Sequence, residues 1–298
     1  MHVHVGETIL SLARASGAPS LFVVGTGKNV GKTVTMRAVY EATLAAGVTV
    51  GLTSIGRDGE AVDVTDAGSK PRLFLRDSTI VATAAGVLPR SPASEMLALS
   101  RLRTAAGPLV YARVRVPAYY ELVGPPSASG IREAVGTLLR EASYVIVDGA
   151  VDRVAALAGG GDAVVVACGA SANATPEEAV DEVRALVGRL TIAPFDGAGE
   201  VLRVDGALGP ALAAELIRAR ERRTILVRDA TQVVLHGRSA LTALERLRIR
   251  CERGLNVVAV TVSSIGRDRA FEPRGFARAV ALATGLPTFD VYAAERAA

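Results

Sequence analysis

Nine consecutive residues combine the chemical types needed to hold a phosphate chain: Gly25-Thr26-Gly27-Lys28-Asn29-Val30-Gly31-Lys32-Thr33. Glycines let the backbone turn tightly enough for successive N–H groups to converge on one anion. The Lys32 ammonium would reach the β- and γ-phosphates, and the Thr33 hydroxyl would ligate Mg2+. The candidate nucleotide-contacting set runs from Gly25 to Val34. One departure stands out: the common spacing G-x-x-x-x-G-K-[ST] places its first glycine at Thr26, with Gly25 one position early.

Such a loop works only between a strand and a helix. "SLFVVG" from Ser20 reads as a buried strand, and "GKTVTMRAVYEATLAAG" as a helix ending at Gly47. The helix N-terminus would then face the phosphates.

Cation usage points to the same loop. The chain has 34 lysines and arginines, yet lysine occurs only at Lys28, Lys32 and Lys70. Lysine is a compact charge on a flexible stem, unlike the planar guanidinium. Lys28 and Lys32 therefore read as positions that need an ammonium.

A second candidate is a pentapeptide that occurs twice, as Ser54-Ile55-Gly56-Arg57-Asp58 and Ser264-Ile265-Gly266-Arg267-Asp268. Each copy follows a hydrophobic stretch that reads as a strand. In open parallel sheets, ligands sit beyond the carboxyl ends of strands, so both copies are expected on one rim. In the first copy, Asp58, with Glu60 and Asp63 nearby, brings carboxylates toward a Mg2+ site and is the candidate second acid. Arg57 would bind a phosphate or carboxylate; a solvated turn with a local Arg–Asp pair is the alternative. The second copy reads as chance, base contact or partner docking. No matching duplication lies between the copies.

Composition sets outer bounds. A chain of 298 residues suffices for one large domain or two small ones. The net charge of +4 comes without a basic cluster, which argues against a nucleic-acid partner. No apolar run suits a membrane span and no secretory signal opens the chain, so a cytoplasmic protein is expected. Cys168 and Cys251 read as small core residues, and the His2/His4 pair and His236 as incidental.

Alternating β-branched runs and helical stretches predict an α/β fold with a mostly parallel twisted sheet flanked by helices. The expected division is an N-terminal extension (1–19), a nucleotide-binding core (20–190) and a C-terminal α/β region (191–298) possibly continuing the same sheet. "TPEEAVDEVRALVGRL" is a well-marked helix, capped by Thr175 with Pro176 in its first position. "TQVVL" reads as a strand, "SALTALERLRIRCERG" as one helix, and residues 57–107 as short broken elements.

"VVGTGKNVGKTV" resembles the phosphate loop of dethiobiotin synthetase and the cobyrinate synthases, in the SIMIBI class of P-loop NTPases. "YVIVDGAVDR" extends the likeness: in that group an acid ending a hydrophobic strand helps hold Mg2+, and Asp148 falls there. Lys28 is similar to the lysine that MinD-type relatives reach across a dimer, although it lies four residues before Lys32 where theirs lies five. It acts either in trans or as a second cation on its own loop.

"TSIGRDGE" and "SSIGRDRAFEPRGFARAV" are similar to KamB-type proteins, regarded as ATP-dependent reactivating factors for lysine 5,6-aminomutase. The resemblance implies Mg2+-dependent ATP hydrolysis, with Lys32, Lys28 and Asp58 catalytic and Thr33, Asp148 and Asp58 at the metal. It also implies an aminomutase partner and a homodimer. The alternative is a carboxylate–amine ligase of the dethiobiotin synthetase type. Against it, the segment after the second strand has no lysine where the synthetase has one. A module that binds nucleotide without hydrolysis is a third reading. No N/T-K-x-D base-reading motif is present, which favours ATP over GTP.

Overall fold

A computed structural model of the chain describes residues 2–56, 72–149, 154–159 and 161–292. Asp58, Glu60, Asp63, Arg57 and Lys70 lie outside the described residues. The chain is α/β and divides into two compact units. The first comprises Met1–Arg14, Ala18–Val23 and Lys32–Ala156; the second comprises Ala15–Gly17, Val24–Gly31 and Leu157–Ala298.

The elements up to residue 148 run α1 (His2–Ala15), β1 (Ser20–Gly25), α2 (Lys32–Ala45), β2 (Val50–Ser54), β3 (Leu73–Leu75), β4 (Ile80–Ala84), β5 (Ser94–Thr104), β6 (Gly107–Val114), β7 (Ala118–Tyr120), α3 (Ala128–Leu138) and β8 (Tyr144–Asp148). In the first unit the strands lie in the order β1-β8-β2-β4-β6-β5. The first four are mutually parallel, and β6 and β5 add antiparallel. Fully buried β1 and β2 explain their unbroken apolar sequence, since both faces of a parallel strand are covered.

The segment expected as an N-terminal extension is mostly helix. Ile9, Leu10 and Ala13 of α1 are buried, and a Cβ at Gly6 would lie 2.0 Å from the Ala38 carbonyl oxygen of α2. Only glycine allows that approach.

The remaining elements run β9 (Ala163–Gly169), α4 (Pro176–Leu190), β10 (Val201–Arg203), α5 (Pro210–Arg218), β11 (Thr224–Asp229), α6 (Gly237–Arg246), β12 (Ile249–Arg253), β13 (Asn256–Ser263), α7 (Pro273–Thr284) and β14 (Thr288–Asp290). In the second unit β9, β13 and β14 form one parallel ribbon, and β10, β11 and β12 form a separate parallel sheet. The smaller sheet carries its own core, built from Ile225, Val227, Leu235, Ala243, Ile249 and Cys251. The two units meet in sequence near residue 156, and from the region expected as 191–298 β13 pairs with β9 and β14 with β13.

Two element assignments change. The stretch read as one helix from Ser239 ends at Arg246, and 249–253 become β12. Ile249 and Cys251 alternate inward there, a period of two that outweighs the helical propensity of the arginines. "TQVVL" makes a 3-10 turn and a single bridge from Val233 to Leu208. Helix α4 carries a capping box between Thr175 and Glu178, with Pro176 in its first turn. Among the described residues no helix is long and apolar enough to cross a membrane.

Candidate functional site

Strand β1 ends at Gly25, and the Thr26 N–H donates to the Ala167 carbonyl of β9 at 2.9 Å. Beyond that bond the chain turns. Gly27 passes so close to Ala172 that a Cβ would sit 2.6 Å from the alanine methyl. Val30 is buried and anchors the loop, while Lys28 and Asn29 face solvent.

The backbone dihedrals give the loop its chemistry. Asn29 has φ of 57° and Gly31 of 89°, and Val30 between them is not left-handed. Two left-handed residues separated by one that is not left-handed turn the chain sharply before α2, the kind of backbone that anion-binding loops use. At Gly31 the left-handed conformation combines with tight packing: a Cβ would lie 3.2 Å from Val291 and 3.3 Å from Ser263. Asn29 is among the few side chains that tolerate such a φ.

Lys32 and Thr33 are the first two residues of α2. Lys32, Thr33 and Val34 are all partly exposed. The Thr26 hydroxyl oxygen is buried without a hydrogen-bond partner among the described residues, a polar group available to a ligand.

Asp148 belongs to the first unit with Lys32 and Thr33. It is the last residue of β8, opposite Val23 of β1 on one side and Ser54 of β2 on the other. Its carbonyl accepts the Ile55 N–H at 2.9 Å, and Gly149 N–H donates to Val23 O at 2.9 Å. Helix α2 packs on β8. Asp148 thus ends β8 at the carboxyl edge of the parallel strands.

Both described Ser-Ile-Gly segments also lie at carboxyl ends of parallel strands, after β2 and after β13. The Ser54 hydroxyl donates to Leu122 O at 2.8 Å and accepts Gly124 N–H at 3.2 Å. A Cβ on Gly56 would fall 2.1 Å from Gly124 O. In the second copy Ser264 donates to Asp290 Oδ2 at 2.6 Å, and a Cβ on Gly266 would lie 2.9 Å from Ala170 C and Ser171 N. Each serine ties down a neighbouring segment, and each glycine lets another backbone press against it. Arg267 and Asp268 are exposed. In the described residues the repeat is thus a shared way of closing a strand end.

Sequence reasoning missed the loop's surroundings: Ala167, Ala172, Ser263 and Val291 touch or flank it. None carries a distinctive motif, and they come from distant parts of the chain. Tyr119 and Tyr120 form β7; Tyr120 is fully buried and donates to Ala93 O at 2.9 Å, whereas Tyr119 packs edge-on against Phe74. Cys168 and Cys251 are free and buried, and burial pushes both thiols up from their ordinary pKa. His4 is exposed. Among the described residues no three His, Cys, Asp or Glu side chains cluster as a metal site. No family model, curated protein or solved structure matches the chain.

Proposed function

We propose that this chain is an Mg2+-dependent ATP-binding and ATP-hydrolysing protein of the P-loop type, acting as a nucleotide-driven switch on a partner enzyme. The observation that carries the reading is the pair of left-handed residues, Asn29 and Gly31, just before α2. Left-handed residues leading into a helix N-terminus are the backbone arrangement that phosphate-binding loops use.

The residues fit the groups proposed. The loop amides and the first turn of α2 would hold the β-phosphate, and Lys32 would neutralise charge on the β- and γ-phosphates. Thr33 and Asp148 offer oxygen donors, the type that Mg2+ prefers; Mg2+ usually keeps several waters and takes only one or two protein ligands. Bound Mg2+ and ATP supply the phosphoanhydride and the cation that offsets its charge. Lys28, exposed on the loop, is a second cation toward the phosphates of its own or a partner's nucleotide. Asp58 remains the proposed second acid on the strength of its sequence position.

The client follows from the resemblance of the SIGRD segments to aminomutase-reactivating proteins, and is a B12-dependent aminomutase. A homodimer is proposed by analogy with the P-loop relatives, and a cytoplasmic setting from the sequence composition. The test is nucleotide binding and phosphate release from Mg-ATP by the purified chain, with Lys32→Ala as control. Slow turnover abolished by the substitution supports the switch. Binding without turnover favours the ATP-dependent carboxylate–amine ligase, to be tested with amine acceptors. Absence of binding overturns the P-loop reading.

A further inference from the structure

The outer strand of the first unit has the features of an interface. Among the described residues, β5 pairs with β6 alone and ends the strand order, leaving its other edge open. It is 11 residues long. An edge strand displays unpaired N–H and C=O groups, and proteins usually blunt it with lysine, proline, shortness or bulges. β5 does have two register irregularities against β6 and three charged residues, Glu95, Arg101 and Arg103, but it contains no proline, and its charges sit toward its ends. Its centre reads Met96-Leu97-Ala98-Leu99, with Met96 57% and Leu99 65% exposed. These are among the most exposed large apolar side chains in the described structure.

The charges on β5 are arranged end against end. Glu95 lies near its start, and Arg101 and Arg103 near its finish. Parallel pairing of two copies would stack arginine on arginine. Antiparallel pairing about Leu99 sets Glu95 opposite Arg103 of the other copy and Met96 opposite Leu102. Opposite charges and apolar pairs facing each other across strands both stabilise a sheet.

We propose that two copies of this chain associate edge to edge, β5 against β5, antiparallel across a two-fold axis at Leu99. Self-complementarity of one patch is what a two-fold interface requires. The same strand from a second copy satisfies the open backbone groups, covers Met96 and Leu99, and matches both charged ends. The proposal stands apart from the nucleotide reading and holds whether or not ATP binds.

The test uses the full chain, with mass measured by light scattering across a concentration series. Wild type is expected to dimerise, and Leu99→Lys to raise the dimer dissociation constant at least tenfold, with a melting temperature equal to wild type at concentrations where both are monomeric, because Leu99 is exposed within the single chain. Leu99→Cys is expected to give a covalent dimer under oxidation, against no background from buried Cys168 and Cys251. Glu95→Arg and Arg103→Glu are each expected to weaken the homodimer, and an equimolar mixture of the two to restore association. The mixture is informative because Glu95 also pairs with Arg115 and Arg113 in its own chain, a contact the mixture does not repair. A wild type that stays monomeric overturns the proposal. So does a dimer that tolerates Leu99→Lys and fails to cross-link through the introduced cysteine.

Discussion

Replacing Gly56 by alanine puts a methyl carbon 2.1 Å from Gly124 O and 3.0 Å from Pro125 C. An ordinary carbon–oxygen contact is about 3.3 Å or more, so the two backbones must part by roughly 1 Å. Neither neighbour is a side-chain tip that can swing aside. Overpacking of this kind costs about 1–3 kcal/mol. Separation also stretches the Gly56 N–H bond to Pro125 O, now 2.9 Å, which contributes about 1 kcal/mol. The expected loss is about 2–4 kcal/mol.

At Gly266 the nearest atoms are at 2.9 Å, so the neighbour yields by only a few tenths of an ångström. Gly266→Ala is expected to cost about 1–2 kcal/mol, toward the lower end of the overpacking range. Gly136, on the exposed side of α3 with nothing within 4 Å of its Cβ, is the control: alanine there is expected to stabilise by about 0.5–1 kcal/mol. Urea unfolding of the four proteins measures all three differences as shifts of midpoint at constant slope. The reasoning fails if Gly56→Ala lies within about 0.5 kcal/mol of wild type, the range of an ordinary surface change. It also fails if Gly266→Ala is the costlier of the two.

Gly31→Ala, with φ of 89° and neighbours at 3.2 and 3.3 Å, is expected to weaken ATP binding at least tenfold by calorimetry while the chain stays folded. Asp148→Asn is expected to raise the Mg2+ concentration needed for half-maximal phosphate release while leaving metal-free nucleotide binding near wild type. Thr175→Ala removes the hydroxyl that accepts Glu178 N–H at 3.2 Å and is expected to cost about 1 kcal/mol in denaturant unfolding. Burial raises the Cys168 and Cys251 thiols, so the folded chain holds those protons more tightly than the unfolded chain. Their contribution is complete below the ordinary thiol value of about 8.5 and is lost as pH rises beyond it. Cys168→Ala is expected to flatten the alkaline fall in stability measured by melting temperature.

What could be read without coordinates was governed by neighbours in sequence. The start of α2 at Lys32, the end of β8 at Asp148 and the cap of α4 at Thr175 each follow from residues within one or two turns. Strand periodicity, helix capping and glycine turns act over that distance, and so the α/β class and the 25–33 loop were legible. The reading failed where partners are remote. The arginine-rich stretch after Arg246 becomes β12 because Ile249 and Cys251 have a core to enter and β11 to pair with. His2–Ala15 form α1, whose Gly6 lies close against Ala38, a contact no local rule names. In the described parts of the two SIGRD segments the close approaches of Gly124 and Ala170 account for the glycines, which the sequence did not reveal. Ser263 and Val291 pack about Gly31 from far along the chain, and no local rule names them. The sequence by itself determined the local backbone and the candidate phosphate loop; only the tertiary structure decided what surrounds that loop, because burial and close packing depend on residues the chain brings together late.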